Sequence, residues 1–188
     1  MNRCDWVNMK NPLYIKYHDE EWGVPVHDDR KLFEMLILEG VQAGLTWETV
    51  LNRREAYREA YDNFEPSIVA NYSEKKMENL LSNSSLIRNR RKISASVKNA
   101  SVFLDIQFQY GSFSDYLWDY VSGKPIQNGF SNISEVPAST PLSEKFSVDL
   151  KKRGMSFVGP VIIYSFMQAV GLVNDHIKNC FRYSQLTK

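Results

Sequence analysis

Apolar residues recur along this chain three and four apart, and no segment alternates apolar and polar positions long enough to read as a strand. Asp28 and Asp29 can cap a helix with Leu32, Phe33, Leu36 and Ile37 on one face. Gln42-Ala43-Gly44-Leu45 breaks that pattern, and Thr46 caps the next helix, whose face carries Trp47, Val50, Leu51, Tyr57 and Tyr61. Pro66 suits the first turn of a short helix. Ser73 caps another, with Met77, Leu80 and Leu81 inward. The spacing predicts a long helix from Arg90 to about Phe108, with Ile93, Val97, Ala100 and Leu104 in register, ended by Gly111-Ser112. Tyr116, Leu117, Tyr120 and Val121 predict a further helix, closed by Gly123 and Pro125, and the chain then reads as loop to about Ser139. Thr140-Pro141 starts a helix running to Gly154, and Pro160 opens the last long one, which Gly171 closes. The predicted fold class is all-α.

With 188 residues and 43% hydrophobic content, the chain is expected to form a single domain over residues 1–188. Aromatic residues at 13% and nearly cancelling charges argue against disorder. The most apolar stretch, Val158 to Val173, is interrupted by Gly159, Pro160, Ser165 and Gln168, too short and too polar for a membrane span. No apolar targeting segment follows Met1, so the expectation is a soluble, cytoplasmic monomer with no membrane partner. The net charge of +1 gives little support for nucleic acid. Arg88, Arg90, Arg91 and Lys92 cluster, as do Lys151, Lys152 and Arg153, either as solvated helix faces or as one phosphate-facing side.

The two cysteines and two of the three histidines lie at opposite ends. His176 and Cys180, four apart, face the same way on a helix, and Cys4 and His18 complete a Cys₂His₂ set suited to tetrahedral zinc. Free thiols are the competing reading, while a Cys4–Cys180 disulfide is disfavoured in a reducing compartment. Four protein ligands leave no position for an activated water, so one zinc ion here would be structural, tying the termini together.

The segment Lys152-Arg153-Gly154-Met155-Ser156-Phe157-Val158-Gly159-Pro160 resembles the helix-hairpin-helix element of a DNA glycosylase superfamily, within about residues 150–162. Backbone N–H groups at Gly154, Val158 and Gly159 are then candidates for holding a DNA phosphate. An ordinary helix–helix turn is the alternative, since Phe157 replaces the usual first glycine. Glycosylase-lyases of that superfamily carry a lysine where this chain has Val161, so no Schiff-base nucleophile is available there. The usual catalytic aspartate aligns with Asn174, beside Asp175.

Longer motifs narrow the resemblance. Cys4-Asp-Trp6, Pro12-Leu-Tyr14-Ile-Lys-Tyr17-His18-Asp-Glu-Glu-Trp22-Gly23, Leu38-Glu39-Gly40-Val41-Gln42-Ala43-Gly44-Leu45-Thr46-Trp47, Tyr164-Ser165-Phe166-Met167-Gln168-Ala169 and Gly171-Leu172-Val173-Asn174-Asp175-His176 resemble the 3-methyladenine DNA glycosylase I family over nearly the whole chain. Val41 and Thr46 depart from residues common there, and Gly123 to Ser139 carries little resemblance. The resemblance implies a helix-hairpin-helix glycosylase fold with a zinc staple at Cys4, His18, His176 and Cys180. It also implies excision of 3-methyladenine, and less readily 3-methylguanine, from alkylated double-stranded DNA, without lyase activity.

The residue chemistry suits that reaction. N3-methylation makes the base cationic and a neutral leaving group, so a pocket that recognises an electron-poor ring is what the reaction needs. Tyr17 and Trp47 are the candidates for stacking, with Trp6, Tyr14 and Trp22 lining the pocket. Glu39, in the apolar run Leu36-Ile37-Leu38-Glu39, is either salt-bridged to a nearby base or the acceptor for the exocyclic amine, with the Tyr17 hydroxyl assisting. In the loop holding Gln42 and Gly44, Leu45 is either the wedge filling the gap left by a flipped base or a buried connector. A non-catalytic zinc-stapled helical DNA-binding module is the main rival and a zinc hydrolase the second. The aromatic cluster opposes the first and the filled ligand set the second.

Overall fold

A computed structural model describes residues 2–187. Its centre is α2 (Asp29–Gln42), capped by the Asp28 carboxylate on the Lys31 N–H. Every residue from Leu32 to Val41 is buried, because helices on several sides cover it. Two of these are the long helix α7 (Arg90–Tyr110) and α10 (Pro160–Ala169). A helix apolar on one face only would not tolerate this, and α2 carries polar side chains into the interior at Glu34 and Glu39.

The elements flanking α2 in the sequence set up both halves of the site. Helix α1 (Pro12–Glu20) is capped by Asn11 and carries Tyr14 one turn before the adjacent pair Tyr17 and His18, both buried. Arg54 fastens its end to α2, bonding Glu21 at 2.8 Å and Glu34 at 2.6 Å. The predicted run from Trp47 to Tyr61 is not one helix. It divides into α3 (Trp47–Leu51), capped by Thr46, and α4 (Arg54–Ala60), with the break at Asn52-Arg53. Short helices α5 (Pro66–Val69) and α6 (Glu74–Ser82) then lead to α7, whose buried face carries Ile93, Ser96, Asn99, Ala100 and Phe103. Val97 and Leu104, expected inward, are only half-buried because that face is rotated toward Asn99 and Phe103.

Helix α8 (Phe113–Asp119) precedes the stretch expected to be loop. That stretch contains a two-residue strand, β1 (Ile126–Gln127), paired in parallel with β2 (Val173–Asn174). The all-α expectation is therefore corrected by one short bridge, which anchors a loop to the chain beyond α10. Helix α9 (Pro141–Arg153) has a Thr140–Ser143 capping box and ends on left-handed Gly154. The turn into α10 contains Phe157 at φ 55°, a conformation ordinarily left to glycine. Gly40 of α2 faces it, and a Cβ there would lie 3.3 Å from the Phe157 Cβ. Helix α11 (Phe181–Leu186) ends the described chain.

His176 and Cys180 do not share a helix, contrary to the spacing argument. They lie in the turn between β2 and α11, closed by the Cys180 N–H on the Ile177 carbonyl at 2.8 Å. Among the described residues no helix is long and apolar enough to cross a membrane.

Gly171, at φ 74°, closes α10 against the chain at Val24-Pro25, where an added Cβ would lie 2.3 Å from the Val24 carbonyl carbon. Gly171→Ala is expected to destabilise the protein by about 3 kcal/mol or more, through backbone strain and overlap with a main chain that has no rotamer to change. Urea unfolding checks this, and an unchanged midpoint would refute the close approach.

Candidate active site

Two features converge on α1. Its Tyr14 and Tyr17 side chains line a cavity of about 330 Å³, at the small end for ligand pockets. Its His18 turns to the other side, into a buried cluster with Cys4, His176 and Cys180.

The cavity brings together Trp6, Tyr14, Tyr17, Trp22, Glu39 and Trp47, the six residues singled out for a base pocket, together with Gln42. Local structure explains the gathering. Glu48, in the first turn of α3, accepts hydrogen bonds from Asn8 and Asn11, both at 2.8 Å, and so draws α3 onto the start of α1. That places the Trp47 ring 5.2 Å from the Tyr17 ring. Trp6 packs edge-on to Trp22 at 4.9 Å.

Glu39 enters from α2 with only 3% of its surface exposed. Among the described residues no salt bridge reaches it, which removes the reading of a helix-end ion pair. Its Oε2 has no hydrogen-bond partner among the described residues, and burial alone raises its pKa to about 8. Trp47 Nε1 is likewise buried without an acceptor. The cavity thus offers a ligand one acceptor and one donor that no side chain or backbone group among the described residues engages. Burial, and then the Glu39 charge, push the Tyr17 hydroxyl well above its ordinary range, so it stays protonated and able to donate.

Several lining residues were not singled out beforehand. Tyr164, Ser165 and Gln168 come from α10, and Ile133, Val136, Pro137 and Ala138 from the loop before α9. Polar side chains on the otherwise apolar α10 were a usable signal, whereas the loop offered none.

The four cluster residues are all buried, and their ligand atoms lie within 4.8 Å of one another. The sulfurs approach the ring nitrogens at 3.4–3.5 Å. A tetrahedral zinc with bonds of about 2.3 Å to sulfur and about 2.0–2.1 Å to nitrogen sets that edge at about 3.5 Å. The outer nitrogens are also committed. His176 Nε2 donates to the Trp22 carbonyl at 2.9 Å, which leaves Nδ1 free to face the sulfurs. His18 Nδ1 donates to Asp19 at 2.7 Å, leaving Nε2 inward. Hydrogen bonding to Arg3 holds Asp19 below the usual carboxylate range. The two thiols are free. The residues therefore fit a metal ion.

The cluster and cavity share a wall. The Trp22 ring lies 4.6 Å from the His176 ring, and Trp6 lies 5.2 Å from His18.

Of the loop and hairpin residues singled out for DNA, Gln42 lines the cavity, and Gly44, Leu45, Gly154, Val158 and Gly159 do not. Leu45 is 37% exposed rather than buried, and nothing lies within 4 Å of a Cβ built on Gly44. Val158 is buried, with its carbonyl accepting from Ser147 at 2.6 Å. Gly159 caps α10 with no side chain to satisfy the first N–H groups, and Val161 in that turn reaches the cavity rim. The basic clusters are partly spent within the fold. Arg90 bonds Glu74 and Glu78, Arg153 bonds Asp149, and Lys92 donates to the Val41 and Ala43 carbonyls at 2.7 and 2.6 Å.

This helical frame is shared with DNA glycosylases of known structure. A crystal structure of 3-methyladenine DNA glycosylase I matches it with a TM-score of 0.91 and 51% identity, over 96% of this chain and 98% of that one. The Staphylococcus aureus 3-methyladenine DNA glycosylase I, solved to explain its 3-methyladenine recognition, matches with a TM-score of 0.92 and 40% identity over 96% of each chain. The chain belongs to the methyladenine glycosylase family, whose profile matches residues 6–183. The DNA-3-methyladenine glycosylase 1 of Escherichia coli K12 is 49% identical over 183 residues, 97% of each chain. That of Haemophilus influenzae Rd is 46% identical over 178 residues, 95% of this chain and 96% of the relative.

Glu39 has a consequence for stability. Its folded pKa of about 8 exceeds the ordinary 4.5, so the folded protein holds a proton that the unfolded chain releases as pH rises from 4.5 to 8. Stability is lost across that window and levels off above it. The melting temperature of Glu39→Gln is expected to rise relative to the parent between these pH values and then run parallel. A pH-independent difference would show that Glu39 is ionised throughout.

Proposed function

We propose that this protein is a monofunctional DNA-3-methyladenine glycosylase, hydrolysing the glycosidic bond of 3-methyladenine, and less readily 3-methylguanine, in alkylated double-stranded DNA. The observation that carries the proposal is Glu39, a buried acidic side chain with no cation paired to it among the described residues, in a cavity walled by aromatic rings. A neutral ligand would leave its ionised form as costly as before. A cationic ring supplies the missing charge, draws the Glu39 pKa down and stacks on electron-rich faces at about 0.5–2 kcal/mol each.

In this reading Tyr17 and Trp47 hold the extruded base, with Trp6, Tyr14 and Trp22 completing the wall. Glu39 accepts the exocyclic amine. The Tyr17 hydroxyl and Trp47 Nε1 supply donors. The cationic base departs neutral, so no lysine nucleophile and no strong acid are needed, which suits valine at position 161.

The uncapped start of α10 at Gly159, beyond the left-handed turn at Gly154, receives a backbone phosphate, with Val158 acting through its main chain. This is the helix-hairpin-helix role. Leu45, exposed at the tip of the Gln42–Leu45 loop, fills the vacated stack, and left-handed Gly44 shapes the turn. One zinc ion held by Cys4, His18, His176 and Cys180 staples the termini of one domain. With four protein ligands its contribution is structural.

Incubation with methylated DNA is expected to release free 3-methyladenine, and Glu39→Gln is expected to cut the rate about 10- to 100-fold while the circular dichroism spectrum is retained. Duplex binding without base release would favour a non-catalytic DNA-binding module, and full activity in the variant would remove Glu39 from the chemistry.

Purified protein is expected to contain one zinc per chain. Cys180→Ser should lose most of it and melt at a lower temperature. Undiminished stoichiometric zinc in that variant would refute the staple.

A further inference from the structure

Asp175, one residue before a cluster ligand, is 1% exposed and forms no salt bridge among the described residues. Its carboxylate instead collects three donors. Asn128 Nδ2 donates to Oδ1 at 2.7 Å. The Tyr164 hydroxyl donates to Oδ2 at 2.6 Å, and Gln168 Nε2 donates to the same oxygen at 2.7 Å. Two of these, Tyr164 and Gln168, line the cavity. The third, Asn128, belongs to the segment that continues into the cavity loop at Ile133 and Val136–Ala138.

The chemistry of these bonds leaves no freedom in how Gln168 is turned. A carboxylate oxygen accepts only, so the amide nitrogen must face Asp175 and the carbonyl oxygen is left for the cavity. Tyr164 spends its one proton on Asp175 and offers the cavity its ring. Burial, together with that bond, raises the Tyr164 pKa, so the hydroxyl keeps the proton it donates.

We propose that Asp175 is a positioning residue for base recognition: it orients Gln168 so that the amide carbonyl faces the cavity as a second acceptor beside Glu39. The inference rests on the glycosylase reading above for the identity of the ligand. A base lined by two acceptors is selected for N–H donors and for electron deficiency. Its rejected competitors are those presenting lone pairs at the Gln168 oxygen, which would leave that oxygen buried and unmatched.

The test uses the full chain and free 3-methyladenine, followed by tryptophan fluorescence. Asp175→Asn places an amide NH₂ against donors on one side or the other, and Gln168 must turn or lose its anchor. Binding is expected to weaken about 10-fold, with zinc content and far-ultraviolet circular dichroism unchanged. Gln168→Met, which leaves Asp175 and the cluster intact, should weaken binding equally. Adding Asp175→Asn to it should then cost less than twofold, because the two act as one unit. Additive losses, or parent-like binding by Gln168→Met, would overturn the proposal, including where Asp175→Asn alone fails to fold. A ligand-free readout separates this inference from the function. The side-chain NH₂ of Gln168 should be protected from hydrogen exchange in the parent protein, and free exchange there would refute the orientation whatever the ligand. A parent protein that shows protected amide protons but no 3-methyladenine binding would instead overturn the function and the ligand assigned here.

Discussion

An acidic side chain buried with no cation paired to it among the described residues constrains this molecule more than any other single feature. Glu39 lies three residues from the end of a helix covered from several sides, and among the described residues no side-chain cation pairs with it. Cations do exist nearby. Arg54 sits under the same roof, but Glu34 and Glu21 occupy it fully, at 2.6 and 2.8 Å. The two acids at positions 34 and 39 of one helix therefore have opposite fates. Hydrogen bonds from Arg54 and Arg58 overcome burial and hold Glu34 below its ordinary pKa, while burial goes unopposed at Glu39. Glu34 is paired with two arginines, whereas Glu39, which lines the cavity, has no cation paired to it among the described residues.

The Cys/His cluster and the cavity form one mechanical unit. Trp22 contributes its ring to the cavity and its carbonyl to His176. Helix α1 contributes Tyr17 to one and His18 to the other. The last turn before α11 brings His176 and Cys180 inward while Asp175, just ahead of them, grips α10 from behind. Sequence ends separated by more than 170 residues are thereby bound to the same wall, which limits how far the aromatic rings can drift.

Much of this was legible from residue types and spacing, and the remainder was hidden for identifiable reasons. Helix starts were readable because Asp28, Thr46, Ser73 and Thr140 each accept the backbone hydrogen bond that such residues are suited to accept. The polar exception in an apolar run, Glu39, led directly to the cavity. The helical spacing of His176 and Cys180 misled, since a tight turn brings residues four apart together as readily as a helix does. The cavity wall at Ile133 and Val136–Ala138 had no periodicity to betray it, because a loop is positioned by what it touches. Its anchors, the β1–β2 pair and the bond from Asn128 to Asp175, join positions 47 residues apart, a relation that local pattern does not encode.

The turn at Phe157 carries a broader implication. A bulky residue in a left-handed conformation costs about 1–3 kcal/mol, and here it is held by the bare backbone of Gly40 and by Asn99, which brackets the Ser156 main chain from both sides. Glycine at position 157 would relax the strain but would let the turn sample other shapes. A bend fixed by steric confinement has little configurational freedom left to surrender, so any ligand that settles onto it meets a surface already ordered.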